Sequence, residues 1–441
     1  MVPDGPPRPL DADLVTDVAI VGAGIAGVAT AFFTLRSSNR RVVLIERDRV
    51  ARGATGRNAG QLTTYFERPL FDIAAEFGTS LAVEGQRAFD EAHDLLDLMA
   101  AEAGSTVRIE RFTGHMGMFS LNHLEVHLRN GLVRLEGGLQ PEACVVSEDA
   151  PFLHEIPGEL RPLYEVVAQS RIRELLETDD DTFRAVLSDV KGCANAGLFV
   201  QQVLGYLEQR YADRFTYVDT TLVERVVVAD DGAVVHARGH AVSAGHVVLC
   251  TNGFTDHVVE DAAGPPIRLH PDQQVVGTIG FMAAFFEDRP RPAAAFSYIR
   301  NATIGGDNPY VYVTRRTYDR ADGTVTLTAM GGPEHPIEGP WLRDMPFPGS
   351  LLGYMDEHVR PYAQPRRAPG RPYDFQWHGL MGYMDGRVRV IGVHPAFPSL
   401  LYNLGCNGVG FLPSIHGGRQ VSRLLAGERL PASIFDPRQA P

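Results

Sequence analysis

The stretch over residues 17–46 constrains the fold of this chain more than any other. Its sequence, DVAIVGAGIAGVATAFFTLRSSNRRVVLIE, opens with an apolar run at 18–21 that is typical of a buried parallel strand. A glycine-rich turn follows without a gap and leads into a helical pattern that runs to about Leu35. A second apolar strand at 41–45 ends in Glu46. This order and spacing predict a βαβ unit that binds a dinucleotide.

The residue types in the turn each have a physical reason. Gly22 allows the tight turn, Gly24 lets backbone N–H groups approach a diphosphate, and Gly27 lets the helix pack closely on the strand. Glu46 would accept hydrogen bonds from the adenosine ribose. The turn by itself leaves three interpretations open, which are an exchangeable nicotinamide cofactor, a resident flavin, and an ordinary strand-to-helix turn.

Two more glycine-rich blocks bear on the choice of dinucleotide. In GATGRNAG, residues 53–60, the small residues let the main chain lie against a flat ring, while Thr55 and Asn58 can add side-chain hydrogen bonds. In GCNGVGF, residues 405–411, the glycines expose the N–H groups at the start of a helix. The positive end of that helix dipole can stabilise the negative charge of a reduced flavin at N1 and C2=O. Both blocks favour a flavin.

The C-terminal part of the chain completes a family pattern. Residues 387–427 read as a strand, a proline loop, a second strand and the glycine cluster that opens a helix. Together with the two N-terminal blocks they resemble the D-amino-acid oxidase and glycine or sarcosine oxidase family of FAD enzymes. Residues 239–254, GHAVSAGHVVLCTNGF, are similar to that family's strand returning to the cofactor. The turn at 251–255 resembles that of amine-oxidising members such as the gamma-glutamylputrescine oxidases.

The resemblance implies an oxidoreductase that holds FAD noncovalently. Members of the family remove a hydride from a carbon bonded to nitrogen, pass it to flavin N5, and release an imine that water hydrolyses. The residues that we predict to bind FAD are Gly22, Gly24, Ile25, Ala26, Gly27, Glu46, Arg47, Gly53, Ala54, Thr55, Asn58, Ala59, Gly60, Gln61, Leu62, Val223, Thr251, Asn252, Gly253, Gly405, Asn407, Gly408, Val409, Gly410 and Phe411.

The fold class follows from the same blocks. We expect an α/β chain with a Rossmann-like FAD-binding domain of the glutathione-reductase type and an inserted mixed or antiparallel β-sheet substrate domain. Alternating apolar and polar residues at 108–121 and 308–330 indicate strands of that inserted sheet, with a hairpin at Asp322-Gly323. The expected FAD-binding segments are 15–104, 182–259 and 374–441, the substrate segments are 105–181 and 260–373, and 1–14 is a flexible tail.

Candidate catalytic residues come mostly from the parts of the chain that match the family poorly. Tyr312, Trp377, His378 and Tyr402 are predicted to line the substrate pocket. Sarcosine-oxidase-like members carry an oxygen-activating lysine on a strand where this chain offers Thr326. The single lysine, Lys191, is interpreted as a surface residue before a helix of the FAD-binding domain. The electron acceptor is therefore open between O₂ and another molecule. A histidyl bond from His378 to the flavin is a further alternative to noncovalent binding.

A clamp for a substrate carboxylate is missing from its family positions. Relatives place an arginine soon after the first glycine loop, where this chain has Leu-Thr-Thr at 62–64, and a lysine after the last cluster, where it has Leu412. A buried carboxylate needs charge-assisted donors. The substrate is then either an amine without an adjacent carboxylate or one whose carboxylate meets Arg300, Arg315 or Arg316. The turn at 251–255 favours the amine.

Composition narrows the remaining function classes. The formal net charge is −13 with no basic run, so nucleic acid and an anionic membrane surface are not expected partners. Three glycines and acidic, proline-rich flanks argue against a membrane span at 18–33. Four dispersed cysteines without a CxxC pair indicate a reducing cytoplasm, and no metal-ligand cluster is recognisable.

Two alternative functions stay open at this point. One adds NADPH to FAD, as in a reductase or monooxygenase, although a second G-x-G-x-x-G after a strand is missing. The other keeps the flavin fold as a binding protein without catalysis. The sequence does not define the oligomeric state.

Overall fold

Two large β-sheets and ten α-helices make up the computed structural model of the chain, which describes residues 5–264, 266–267, 275–299, 310–320, 323–332, 341–363, 372–384 and 388–439. The strands are β1 (Leu14–Val21), β2 (Val42–Ile45), β3 (Gln61–Leu62), β4 (Glu110–Met118), β5 (Ala143–Ser147), β6 (Glu165–Val167), β7 (Ala185–Cys193), β8 (Phe215–Val218), β9 (Val223–Ala229), β10 (Gly232–Ala237), β11 (His240–Leu249), β12 (Val258–Asp261), β13 (Val275–Phe286), β14 (Ala294–Ile299), β15 (Tyr310–Arg320), β16 (Gly323–Gly331), β17 (Phe375–Met384), β18 (Val390–Val393) and β19 (Leu400–Leu404). The helices are α1 (Ile25–Ser37), α2 (Leu70–Phe77), α3 (Thr79–Asp90), α4 (Ala92–Glu102), α5 (Leu121–Glu136), α6 (Gln169–Leu176), α7 (Ala196–Arg210), α8 (Gly349–Tyr354), α9 (Arg360–Ala363) and α10 (Phe411–Leu425).

The first sheet is parallel at its centre and buried on both faces. Its strand order is β12-β9-β10-β11-β1-β2-β8, and β19 pairs with the second half of β11 while β18 pairs with β19. Alternate residues of β1 enter different cores: Val18 and Ile20 pack with helices α1, α7 and α10, whereas Ala19 and Val21 pack with the β9-β10-β11 meander. A continuous apolar run is what a strand covered on both faces requires. The predicted Rossmann-like core is confirmed.

The second sheet is mixed, as expected for the inserted part. Its order is β17-β13-β16-β15-β14-β4-β7-β5-β6, with β3 paired to β7. Most neighbours are antiparallel, but β14 runs parallel to β4 and β5 runs parallel to β6. Strands β15 and β16 pair from Tyr312 with Gly331 to Arg320 with Gly323. This pairing agrees with the hairpin predicted at Asp322-Gly323. Asp322 itself lies outside the described residues.

Several placements differ from the sequence expectation. Strands β7 and β17 follow the expected boundaries at 182 and 374, yet both belong to the second sheet. The division into two domains at those residues stays a prediction. Lys191 was expected at the surface but lies on β7 with 4% of its area exposed, because β4 and β14 cover that part of the strand. Among the described residues, no helix combines the length and apolar character needed to cross a membrane.

The N-terminal segment is bound to the first sheet from Arg8 onward, within the stretch 1–14 that the sequence predicts as a flexible tail; residues 1–4 of that stretch lie outside the described residues. The Arg8 amide donates to Asp219 Oδ1 at 2.9 Å, and the Leu10 amide donates to Thr221 Oγ1 at 2.9 Å. The Leu10 side chain is 3% exposed and lies in the core beneath the meander. The segment held by these hydrogen bonds leads into β1, which begins at Leu14.

Helices α1 and α10 pack against each other closely enough to exclude side chains at the crossing. A Cβ atom at Gly418 would lie 2.7 Å from backbone atoms of Ala29 and Thr30. A Cβ at the preceding Gly417 would lie 2.2 Å from Asn403 Oδ1. The N-terminal ends of the two helices lie at the same edge of the first sheet. Asn403 on β19 connects them, because its Nδ2 donates to the Ala26 carbonyl of α1 and to the Ser414 carbonyl of α10.

We predict that Gly418→Ala lowers the stability of the protein by about 1–3 kcal/mol, because the new methyl group overlaps backbone that cannot rotate away. The matched control is Gly205→Ala in α7, where a Cβ meets nothing within 4 Å. There alanine is expected to raise stability by about 0.5–1 kcal/mol through helix propensity. The urea midpoint of each variant measures this. Equal midpoints for the two variants would contradict the close α1–α10 packing.

Candidate active site

A cavity of about 510 Å³ lies where the carboxyl ends of the central strands of the first sheet meet the second sheet. Its inner wall is formed by the ends of β1, β2 and β11 and by the starts of α1 and α10. Its outer wall comes from the loop at 46–61 and from Gly280, Met282, Tyr312 and Met381 of the second sheet. The carboxyl edge of parallel strands is where open α/β sheets bind ligands.

The first glycine turn has the geometry that its sequence predicts. Gly22 has a φ of +104°, and a Cβ there would lie 2.6 Å from the Cys250 carbonyl oxygen. A Cβ at Gly27 would lie 1.8 Å from the Gly22 carbonyl oxygen, so the helix can approach the strand only with glycine at this position. The Ile25 amide at the start of α1 donates to Thr55 Oγ1 at 3.0 Å. The loop at 53–61 is thereby fastened to the N-terminus of α1.

Glu46 ends strand β2 and lines the cavity with a nearly buried carboxylate. Its Oε2 accepts the Ala23 amide at 2.7 Å and its Oε1 accepts the Asp48 amide at 2.9 Å. Burial raises the pKa of the Glu46 carboxyl, while these two hydrogen bonds oppose the rise. Each carboxylate oxygen retains a lone pair, so the group can still accept the hydroxyls of a ribose.

The loop at 53–61 is held by contacts that the sequence did not reveal. Asn58 was expected to bond to the cofactor, but its Oδ1 accepts the Gly60 amide at 2.7 Å and its Nδ2 donates to the Thr55 carbonyl at 2.9 Å. Trp377 Nε1 donates to the Arg57 carbonyl oxygen at 2.8 Å. Arg57 Nη1 in turn donates to the His378 carbonyl oxygen at 2.8 Å. The second sheet therefore fixes the loop against the cavity.

The glycine cluster at 405–411 is positioned from two sides. Asn252, in the turn after β11, accepts the Cys406 amide at 3.1 Å and the Gly382 amide at 3.2 Å with the same Oδ1. Asn407 Oδ1 accepts the Met384 amide at 2.9 Å. Both asparagines have positive φ values, 52° and 45°. Strand β17 of the second sheet thus holds the segment that leads into α10.

Most residues predicted to bind FAD line this one cavity. The exceptions are Gly27, Gly60, Leu62, Gly253 and Asn407, which support its walls instead. Gly60 has a φ of +85° and packs against the Ala194 carbonyl, and Gly253 packs against the Met381 carbonyl. Which of the lining residues contact FAD stays a prediction.

Of the predicted catalytic residues, Tyr312 lines the cavity, with its hydroxyl donating to Met282 Sδ at 2.8 Å. His378 does not, because its Nδ1 accepts Trp341 Nε1 and its Nε2 bonds to the Met345 carbonyl, both at 2.8 Å. Thr326 does not either, since its hydroxyl bonds to the backbone of Arg291.

The other two candidates lie in the walls. Tyr402 on β19 is 1% exposed within the core of the first sheet, and burial raises the pKa of its phenol well above its usual range. Trp377 packs beside Met282 and uses its indole N–H on the loop at 53–61. Long-range packing turns the side chains of Trp377, His378, Tyr402 and Thr326 away from this cavity, so the structure does not bring these four candidates together with Tyr312.

Sequence reasoning missed several lining residues. Arg389, Asn403 and Ser414 form a polar group between α1 and α10, and Tyr65 and Glu67 follow the first loop. A Cβ at Gly408 would lie 2.6 Å from Glu67 Oε1, so this carboxylate lies against the last glycine cluster. In the sequence RVRV at 387–390 the alternation of arginine and valine reads as a half-solvated strand, and nothing local signals burial of Arg389.

Comparison with known proteins decides the family. A family model described as "DAO: FAD dependent oxidoreductase" matches residues 17–424. The chain belongs to this family. It is an FAD-dependent oxidoreductase, which confirms the resemblance read from its glycine-rich blocks. The gamma-glutamylputrescine oxidoreductase of Escherichia coli (strain K12) is 34% identical over 73 residues, a match that spans 17% of this chain and 17% of that relative.

Solved structures agree on the fold of the DAO family. Glycine oxidase from Geobacillus kaustophilus superposes with a TM-score of 0.66 at 15% identity, covering 97% of this chain and 99% of that chain. L-Proline dehydrogenase from P. horikoshii superposes with a TM-score of 0.66 at 14% identity, covering 97% and 98%. These likenesses extend over both sheets, and they confirm the predicted fold class.

The cavity fits FAD, the cofactor of the family. The glycine turn admits a diphosphate at the start of α1, and the Glu46 carboxylate lies at the end of β2 where an adenosine ribose would bond to it. The glycine cluster at 405–411 offers main chain without side chains to a flat ring.

We predict that Glu46→Gln raises the dissociation constant for FAD by about 10- to 100-fold, since hydrogen bonds to a charged acceptor contribute about 1.5–3 kcal/mol. Asp48→Asn is the matched control, because Asp48 also lines the cavity but forms an exposed ion pair with Arg343 at 3.0 Å. Such pairs contribute little, so its effect should stay within about threefold. Titration of the apoprotein with FAD, followed by flavin fluorescence, gives both constants. Wild-type affinity in Glu46→Gln would exclude the ribose role.

Proposed function

We propose that this DAO-family protein oxidises the C–N bond of an amine that carries no carboxylate beside the reacting carbon, giving an imine. When bound, FAD supplies the two-electron acceptor for the hydride of that C–H bond. The observation that carries the proposal is the uncharged character of the cavity wall that the second sheet provides. The chain's own residues bind the substrate, orient its C–H bond and keep water away.

The wall from the second sheet offers no cation to a carboxylate. Among the described residues of its strands, those that line the cavity are Gln61, Gly280, Met282, Tyr312, Gly379 and Met381. A carboxylate against this wall would lose its hydration without gaining a charge-assisted donor. The carboxylate of Glu67 also lines the cavity, near Tyr383 of β17, and favours a cationic substrate. The formal net charge of −13 acts in the same direction.

The arginines considered as alternative carboxylate partners give no support to an amino acid. Arg315 is buried and donates to both carboxylate oxygens of Glu177, at 2.6 and 2.7 Å. Arg316 packs beside Gly60 and Tyr318, outside the cavity lining. Arg300 lies outside the described residues. One lining arginine, Arg57, packs on Gly379 of the second sheet, but its guanidinium donates to the carbonyl oxygens of His378 and Arg52.

Noncovalent attachment of FAD is part of the proposal. His378 was the candidate for a covalent bond, but both of its ring nitrogens are engaged with Trp341 and Met345. Its Nδ1 accepts the indole N–H of Trp341, and its Nε2 bonds to the Met345 carbonyl, so neither nitrogen is directed at the cavity. Precipitation with acid should therefore release the flavin into the supernatant.

We expect anaerobic reduction of the bound flavin by alkylamines or diamines, with kcat/KM at least about tenfold higher than for the α-amino acids that differ by one added carboxylate. Loss of absorbance near 450 nm measures the reaction. Faster reduction by the amino acids would contradict the proposal. Reduction by NADPH alone would select a reductase or monooxygenase, and no reduction by any amine would select a binding protein. Readmitting oxygen after reduction identifies O₂ or another molecule as the acceptor.

Tyr312→Phe should lower kcat/KM for the amine by about 5- to 10-fold, because one hydroxyl of the substrate wall is worth about 1 kcal/mol. The affinity for FAD should not change. Tyr318→Phe, on the same face of β15 but outside the cavity lining, is the matched control and should behave as wild type. Equal losses in the two variants would show that the effect does not come from the pocket.

A further inference from the structure

The segment that follows the loop at 53–61 lays a line of polar side chains along the cavity. Four alternate residues of the sequence QLTTYFE line the cavity wall, namely Gln61, Thr63, Tyr65 and Glu67. The side chains between them face away, since Leu62 and Phe66 pack in the core beside α1, α7 and α10. A period of two is typical of extended backbone. The cavity therefore contains a polar stripe, residues 61, 63, 65 and 67, that ends in a carboxylate.

Hydrogen bonds hold the polar stripe in place. At its start, Gln61 Nε2 donates to Thr314 Oγ1 of β15 at 3.0 Å. Thr314 is two residues from Tyr312, which belongs to the wall that the second sheet provides. In the middle of the stripe, the Thr64 carbonyl oxygen accepts Gln86 Nε2 of α3 at 2.6 Å. The stripe thus begins beside the proposed substrate wall.

The carboxylate at the other end of the stripe lies against the last glycine cluster. Glu67 Oε1 is 2.6 Å from the position that a Cβ at Gly408 would take, and the Tyr383 hydroxyl oxygen is 2.8 Å from the same position. Glycine at this residue, with a φ of +74°, leaves room for both groups. Tyr383 follows Met381 by two residues on β17, so its side chain leaves the strand on the face that lines the cavity.

A carboxylate in the substrate cavity is suited to an ammonium group that does not react. Alkylamines are protonated at neutral pH, as the lysine side chain is. Forming the C=N bond of an imine uses the lone pair of the reacting nitrogen, which must therefore be unprotonated. A neighbouring carboxylate favours the protonated form, so it would hinder oxidation at that nitrogen. A second ammonium on the same substrate gains a charge-assisted hydrogen bond without this penalty.

We propose that the substrate is a diamine or polyamine whose second, unreacted ammonium binds Glu67, while the amine that is oxidised lies towards Tyr312. This substrate class rests on the proposed function and narrows it. Between the two ends, Thr63 and Tyr65 offer hydroxyl oxygens that can accept from further N–H groups of the substrate. At about 3.3 Å per residue, the extended segment from Thr63 to Glu67 spans about 13 Å, which accommodates a linear aliphatic chain.

The test compares butane-1,4-diamine with 4-aminobutan-1-ol, in which a hydroxyl replaces the second ammonium. Anaerobic mixing of each compound with the holoenzyme, over a range of concentrations, gives a dissociation constant and a limiting rate of flavin reduction. Wild type should bind the diamine at least about 10-fold more tightly than the amino alcohol, through the charge-assisted hydrogen bond. Glu67→Gln should abolish this preference by raising the dissociation constant of the diamine alone, with limiting rates close to those of wild type.

Asp48→Asn is the matched control, because it also removes one carboxylate from the cavity lining but on the side of Glu46. It should keep the preference for the diamine. An unchanged preference in Glu67→Gln, equal weakening of both compounds, or the same loss in Asp48→Asn would contradict the contact.

Wild type alone decides the question should Glu67→Gln fail to fold. Reduction by both compounds with equal dissociation constants would overturn the diamine assignment and leave the proposed amine oxidation intact. Reduction by α-amino acids alone would overturn the proposed function itself.

Discussion

The close approach of α1 and α10 is the contact on which the rest of this structure depends. Glycine at Gly418 lets the two helices touch through backbone, and glycine at Gly27 lets α1 touch β1 in the same way. As a result two helix N-termini, each with glycine as its N-cap residue, open into one cavity at the edge of the first sheet. Side chains at either contact would separate the helices, and the positive ends of their dipoles would no longer act on a common ligand.

The second sheet forms the outer wall of the cavity and holds the two glycine-rich segments in place. Strand β17 fixes both glycine-rich segments, through Trp377 on the loop at 53–61 and through Met384 on Asn407. The same sheet supplies a wall that is polar through Tyr312 and Gln61 but carries no cation among its described lining residues. In the proposed function, the first sheet binds the cofactor and the wall from the second sheet selects the substrate.

Local pattern was enough to predict the elements that line the inner wall of the cavity. Strand β1, helix α1 and strand β2 follow from periodicity and glycine spacing within 30 residues, and Glu46 follows from its place at the end of β2. The features that were missed depend on contacts distant in sequence. His378 is turned away by Trp341, Leu10 is held by Thr221, and Arg389 is buried by a helix that begins at Phe411. No window of sequence contains both partners in these cases.

The measurement that tests the account most directly is a crystal structure of the protein with FAD bound. We expect the diphosphate oxygens within hydrogen-bonding distance of the amides that open α1, with the flavin ring against the main chain at 405–411. A diphosphate bound away from the α1 N-terminus, or a ring outside the glycine cluster, would contradict the central claim that the two converging helices form the cofactor site.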